Sequence, residues 1–528
     1  MNLSSMTGCI IALAVAWGTA GATEAKGGSA RILAQACQVD AKGDKNDEWK
    51  REPNAKNSVT QHRLTTGGKS MEYLATAGLL VIRDNEDKPM ANLSYIAYTR
   101  RDVKDVSARP VMFAFNGGPG SSSLWLHMGA LGPKRVVVSD PEPTPPAPFH
   151  TVENEFGVLD KSDLVMIDPV GTGLSRAVCD HKDEEFWGVD PDVDSMSRFI
   201  AQYVSDNNRW TSPKYLLGES YGTTRAAGIV AYLRAHRSLT FNGLVLVSVA
   251  TDIEAIFAEI PGNDRPNAMY LPGYAAVGWY YHMLPNQPAS LELFLQEVRQ
   301  YAAGPFTAAL LKGDSLSDEE RTAVAEQMHN YTGLSVDYLK AANLRVSEIA
   351  FTHELLKAQR KTISRLDARY AGPTMDPLQK YAEYDPLSEA ISAAYTAAFL
   401  DYYHGELRFG EDMTYRDPTF GIWEKWKWTH RVGDSVMEQP IVNTGVDLAR
   451  VLVQDANLRV LVLSGYYDLA TPFSAIEFEM KHLGVPPGVS SHIQMQYYEA
   501  GHMMYVHLPS LRKMKRDLDA FIDSTARH

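Results

Sequence analysis

Ser220 sits between two glycines in Gly218-Glu219-Ser220-Tyr221-Gly222. A serine hydroxyl is a poor nucleophile near neutral pH. It needs a base to take its proton, and the base needs a partner that fixes its tautomer. Two later stretches supply such groups: Ser464-Gly465-Tyr466-Tyr467-Asp468 and Glu499-Ala500-Gly501-His502-Met503, each directly after an apolar run. A lone aspartate after a strand is usually a turn former, and a lone histidine is usually structural. In the order Ser220, Asp468, His502, each at a predicted strand end, they form a nucleophile, an orienting acid and a general base. That set performs acyl transfer through a covalent intermediate. The oxyanion formed on the way needs two backbone donors. The predicted pair is Tyr221 N–H and Gly118 N–H, the latter from Asn116-Gly117-Gly118-Pro119-Gly120. The bland alternative for this glycine run is a tight turn. A phosphate loop is excluded, because no Gly-Lys-Ser/Thr follows.

These side chains need a rigid frame. Tyr215-Leu216-Leu217 predicts a strand before the serine, and residues 223–233 predict a helix after it. A serine on a sharp strand-to-helix turn is a nucleophile elbow, with glycines where side chains would strike backbone. The helix turns its free N–H groups toward the serine. Further apolar runs at 111–115, 164–167 and 244–249 predict buried strands. Between them Val193, Met196, Phe199, Ile200, Tyr203 and Val204 fall on one helical face. Strand, helix and strand with continuous apolar runs argue for a parallel sheet covered on both faces. Alternation over residues 62–101 predicts antiparallel strands before it. From 252 to 435 the chain reads as mostly helical, with no further buried strand. Ser317-x-x-Glu320 is a capping box there, and 386–400 reads as another helix. Strands return at 458–464 and 493–498. The chain order serine, aspartate, histidine is that of α/β-hydrolases. The predicted fold is therefore α/β: a central, mostly parallel sheet with a large, mainly helical insertion acting as a cap.

The chain has 528 residues and a formal net charge of −13, with no basic block of the kind that binds nucleic acid. Residues 1–22 read as an export signal, with Cys9–Trp17 as its apolar core and Ala20-Gly21-Ala22 as its cleavage site. That run is too short to span a bilayer, so the expectation is an exported, periplasmic or secreted protein with no stable membrane insertion. Residues 23–58 read as a mobile segment, 59–251 and 436–528 as two parts of one core, and 252–435 as the insertion. Cleavage would leave Cys37 and Cys179, and sequence does not establish whether they pair. No metal or cofactor is expected. Asp190-x-Asp192-x-Asp194 lacks the glycine and closing glutamate of a calcium loop and fits a helix N-terminus better. His353-Glu354 lacks a second histidine. Nothing in the sequence sets an oligomeric state.

Five blocks carry a resemblance to one family. Asn116-Gly-Gly-Pro-Gly-Ser-Ser-Ser123, Asp168-Pro-Val-Gly-Thr-Gly-Leu-Ser175, Gly218-Glu-Ser-Tyr-Gly222, Gly465-Tyr-Tyr-Asp468 and Gly501-His502-Met503 resemble, in this order, the signature blocks of serine carboxypeptidases. The resemblance implies an α/β-hydrolase fold, peptide substrates and release of single C-terminal amino acids. It further implies that Asn116 and Glu219 recognise the substrate carboxylate. A glutamate in a poorly solvated pocket resists ionisation, so it can donate a hydrogen bond to that carboxylate. There are departures. Ser121 stands where the family often has a disulfide cysteine, and Ala114 where a tryptophan is common. Ala130 stands where a further glutamate of the carboxylate network is expected. Two other readings stay open: an esterase or acyltransferase on the same triad, and a non-enzymatic binding protein on a hydrolase scaffold.

Overall fold

The apolar runs pair side by side in a ten-stranded sheet. Its strands are β1 (Ser58–Thr66), β2 (Lys69–Arg83), β3 (Pro89–Arg100), β4 (Val111–Phe115), β5 (Asp163–Ile167), β6 (Lys214–Glu219), β7 (Gly243–Val247), β8 (Arg459–Gly465) and β9 (Ile493–Tyr498). The spatial order is β1-β2-β3-β5-β4-β6-β7-β8-β9, and the short strand Arg176–Ala177 pairs with β3. The sheet is antiparallel from β1 through β3 to β5 and parallel from β5 to β9. This computed structural model describes residues 57–256, 262–419, 421–433 and 435–526. The expected signal at 1–22 and Cys37 lie outside the described residues, as does all of the 23–58 segment except Asn57 and Ser58. Ser58 was expected in a mobile segment but opens β1, in register with Ala77.

Side chains of the central strands alternate between two cores. Val111, Phe113, Leu216, Leu244, Leu246, Val460 and Val462 join one, and Met112, Ala114, Leu217, Val245, Leu461 and Leu463 join the other. Both faces are thus apolar, and this is why the strands read as unbroken runs. Helices α1 (Val189–Asp206) and α2 (Tyr221–Arg237) cover the first core. All six residues of the predicted helical face, Val193 to Val204, are buried in it.

Between β7 and β8 the chain forms α3 (Arg265–Tyr280), α4 (Asp318–Thr332), α5 (Pro386–Asp401) and shorter helices. Ser317 caps α4 as its sequence predicts, accepting from Glu320 N–H, while Glu320 reaches back to Ser317 N–H at 3.0 Å. One expectation fails here. Lys361–Ile363 and Ala371–Pro373 form a small antiparallel hairpin in which Thr362 and Ile363 are buried. Three-residue strands leave no apolar run long enough to be seen in sequence.

The Asp190–Asp194 cluster lies in the first turns of α1, and each carboxylate has a partner of its own. Asp194 pairs with Arg198 at 2.7 Å, and Asp192 with the fully buried Arg225 at 2.7 Å. Arg225 also donates to Asn116 O at 2.7 Å and lies over the rings of Phe115 and Tyr221. Asp190 and Asp447 hold His430 between them, each at 2.6 Å. Burial opposes the charged ring, yet the two carboxylates push the His430 pKa up to about 9.

Two outcomes follow from these pairs. Arg225→Met strands the buried Asp192 carboxylate and should cost about 3–5 kcal/mol in urea unfolding; a loss within experimental error would refute the pairing. His430 gains stability from its proton in the fold, so its contribution is complete below a pH of about 6.5. It is lost as pH rises through about 9. Thermal midpoints of His430→Gln and the parent protein should therefore converge at high pH, and a gap independent of pH would count against the assignment.

Candidate active site

β6 ends at Glu219 and α2 begins at Tyr221, so one residue makes the whole turn. Ser220 takes φ 59° and ψ −131°, a region that costs a residue with a side chain about 1–3 kcal/mol. Its N–H is fixed to Val247 O at 2.9 Å. A Cβ on Gly218 would lie 2.2 Å from Gly222 O. One on Gly117 would lie 2.6 Å from Glu219 O, Tyr221 N and Gly222 N. The glycine loop after β4 therefore packs directly on the turn. Among the described residues neither Tyr221 N–H nor Gly118 N–H donates a hydrogen bond, and both predicted oxyanion donors are free.

His502 and Asp468 are brought together. His502 Nδ1 donates to Asp468 Oδ2 at 2.8 Å. Asp468 is fully buried and also accepts from Ala470 N–H, Thr471 N–H and the Thr471 hydroxyl at 2.6–2.9 Å. This locks the carboxylate, and the Nδ1–H bond leaves Nε2 as the basic nitrogen. Burial works against a charged His502 ring, but Asp468 and, further off, Glu219 raise its pKa above the usual histidine value. Among the described residues no hydrogen bond joins Ser220 Oγ to His502. Such bonds in ligand-free sites often tighten only with substrate.

Asn116 and Glu219 are also brought together. Asn116 Nδ2 donates to Glu219 Oε1 at 2.9 Å, and Asn116 Oδ1 accepts from Leu126 N–H at 3.0 Å. Both side chains are buried. Burial pushes the Glu219 carboxyl up to about 7, against the opposing pull of His502, Tyr505 and Asn116. Glu219 is thus neutral in acid and charged in mild base. Ala130 is buried and offers no polar side-chain atom. A cavity of about 670 Å³ opens alongside, lined in part by Gly129, Tyr395, Tyr467 and Tyr505; Ser220 and His502 do not line it.

The supports of the site come from stretches that sequence does not mark. The hairpin turn of the insertion holds the His502 loop: Leu366 O accepts from His502 N–H at 2.6 Å, and Asp367 Oδ2 from Gly501 N–H at 2.9 Å. Arg369 binds Asp367 at 2.6 Å and Asp140 at 2.8 Å. Ser248, itself at φ 52°, donates to His502 O at 2.8 Å. At Ser121 the loop is tied by hydrogen bonds, because Ser122 N–H and the Ser121 hydroxyl reach Asp417 Oδ1 at 2.6 and 3.3 Å. Burial raises the Asp417 carboxyl to about 7. Cys179 is disulfide-bonded, and the other two cysteines lie outside the described residues. Among the described residues no cluster of three or more His, Cys, Asp or Glu could hold a metal ion, and no helix is long and apolar enough to cross a membrane.

Comparison with known proteins agrees with this architecture. A prohormone-processing carboxypeptidase from Saccharomyces cerevisiae matches in structure at a TM-score of 0.53, with 14% identity, over 85% of this chain and 91% of that one. A proline iminopeptidase from Mycobacterium smegmatis matches at a TM-score of 0.35, with 14% identity, over 85% and 98%. No curated protein matches the sequence. The serine carboxypeptidase family model matches residues 69–253, a segment that holds Asn116, Gly118, Glu219, Ser220 and Tyr221 and stops short of Asp468 and His502. Residues 69–253 are thus similar to serine carboxypeptidases, and the chain is built on an α/β-hydrolase fold.

Proposed function

We propose that this protein is a serine-type carboxypeptidase that removes single C-terminal amino acids from peptides. The observation that carries this reading is the buried Asn116–Glu219 pair next to Ser220, a neutral donor set for a terminal carboxylate beside a nucleophile. In the proposed reaction His502 Nε2 takes the proton of Ser220 Oγ as Oγ attacks the last peptide carbonyl. Asp468 holds the ring and stabilises the imidazolium. Gly118 N–H and Tyr221 N–H bind the oxyanion. The tetrahedral intermediate expels the C-terminal amino acid, which receives the proton from His502. Water then attacks the acyl-enzyme, with His502 again as base, and frees Ser220.

The remaining parts of the reading concern organisation. Residues 59–251 and 436–528 form the hydrolase core, and residues 252–435 form the cap over the site. Support for a cap comes from the bonds its hairpin makes to Gly501 and His502. Export rests on the signal-like residues 1–22, with a mature start near Thr23. Ala130 favours the rival esterase reading, because one donor of the expected carboxylate network is missing.

The deciding experiment identifies the products from a blocked peptide with a free C-terminus. One free amino acid and a shortened peptide are expected, and turnover should fall by several powers of ten in Ser220→Ala. Turnover of simple esters with no peptide cleavage would instead favour the esterase. A second expectation concerns pH. Protonated Glu219 accepts the carboxylate as a partner, whereas ionised Glu219 repels it. Peptide KM should therefore be lowest in acid and rise as pH passes through about 7. Glu219→Gln cannot ionise and should flatten that rise; an unaltered profile would remove Glu219 from the recognition set.

A further inference from the structure

Among the described residues, Glu219 Oε2 and the Tyr505 hydroxyl are buried without a hydrogen-bond partner. Their residues are 4% and 2% exposed. They are neighbours: the Tyr505 phenol lies within reach of Glu219 and Asn116, while Glu219 Oε2 and the phenol oxygen make no hydrogen bond of full geometry among the described residues. Buried polar groups are nearly always satisfied, so a neighbouring pair left open marks a place where a further polar group belongs. We infer that Tyr505 is a specificity-determining residue whose hydroxyl, with Asn116 and Glu219, binds one oxygen of the substrate's C-terminal carboxylate.

The donor count supports this. Asn116 Nδ2 has two hydrogens and spends one on Glu219 Oε1; its Oδ1 is taken by Leu126 N–H. That leaves one amide hydrogen, the proton of neutral Glu219 and the Tyr505 hydroxyl. Three donors around one site match the lone pairs of a carboxylate. None would be matched by a neutral C-terminal amide to the same degree, since its nitrogen brings only donors.

The backbone around Tyr505 is shaped to bring it there. Tyr505 lies in the turn Met504–Val506, directly after the His502 loop, so one loop carries the general base and this phenol. Its ring packs on Gly129: a Cβ there would lie 2.4 and 2.5 Å from two Tyr505 ring carbons and 2.7 Å from the Tyr395 hydroxyl. Only glycine admits both tyrosines. Glycine at 129 thus makes room for a donor from another loop. Burial raises the phenol's pKa well above its ordinary value, with Glu219 adding to the effect, so Tyr505 stays a donor across the working pH range.

This inference rests on the carboxypeptidase reading. Its test compares a blocked dipeptide with its own C-terminal amide, using the full-length protein, Tyr505→Phe and Glu219→Gln. Loss of a hydrogen bond to a charged group corresponds to roughly a tenfold to hundredfold change. In Tyr505→Phe, KM for the acid should rise by that factor and KM for the amide by clearly less, so that the preference for the acid falls. Intact amide turnover shows that the variant is folded and that Ser220 and His502 still work. An unchanged KM for the acid, or an equal loss on acid and amide, would overturn the role of Tyr505. If that happens while Glu219→Gln still loses acid selectivity, the carboxypeptidase reading stands without Tyr505. A parent protein that treats acid and amide alike would overturn both.

Discussion

A single backbone conformation sets the geometry of the candidate site. Ser220 holds positive φ because β6 is pinned between β4 and β7 and α2 must start at the next residue. The strain is local and the restraint is not. Strand pairing on both sides, the Val247 carbonyl on Ser220 N–H and three glycines within backbone contact leave the turn no other path. Such strain persists only where the surroundings over-determine it. Arg225 extends the restraint by tying α1 to the carbonyl of Asn116, so the elbow and the glycine loop move as one body.

The candidate base, His502, is supported from the opposite direction. Asp468 and His502 stand on loops after β8 and β9, and the insertion clamps both: Leu469 N–H binds Arg365 O, and His502 N–H binds Leu366 O. The core thus supplies the chain ends that carry the site, and the insertion fixes their orientation. The Asp367–Arg369–Asp140 network holds that clamp to the opposite side of the cavity. A buried ion network costs desolvation and is retained where position matters more than net stability.

Electrostatics pull the two halves of the site in opposite senses. Burial favours neutral Glu219, while Asp468 favours charged His502. In the proposed reaction a neutral glutamate suits the anionic substrate, and a neutral histidine accepts the serine proton. The two requirements depend on pH in opposite senses. The two groups are also coupled, because ionised Glu219 favours the charged His502 ring.

Sequence by itself determined the sheet and the strand ends. Short continuous apolar runs bounded by turn residues read as strands buried on both faces, and Gly218 and Gly222 stand where a Cβ would crowd backbone. Ser220, Asp468 and His502 could be read because each follows such a run directly, and the Ser317 cap because its signal is local. The hairpin at 361–373, the clamp from Leu366 and Asp367, and the approach of Tyr505 to Glu219 were decided by tertiary structure alone. Each depends on contacts between stretches far apart in the chain. A buried polar group chosen by its partner leaves no periodicity for sequence to display. Ala130 makes the point from the other side. In sequence it is a missing donor, and the close packing of Tyr505 on the neighbouring Gly129 shows only in the structure.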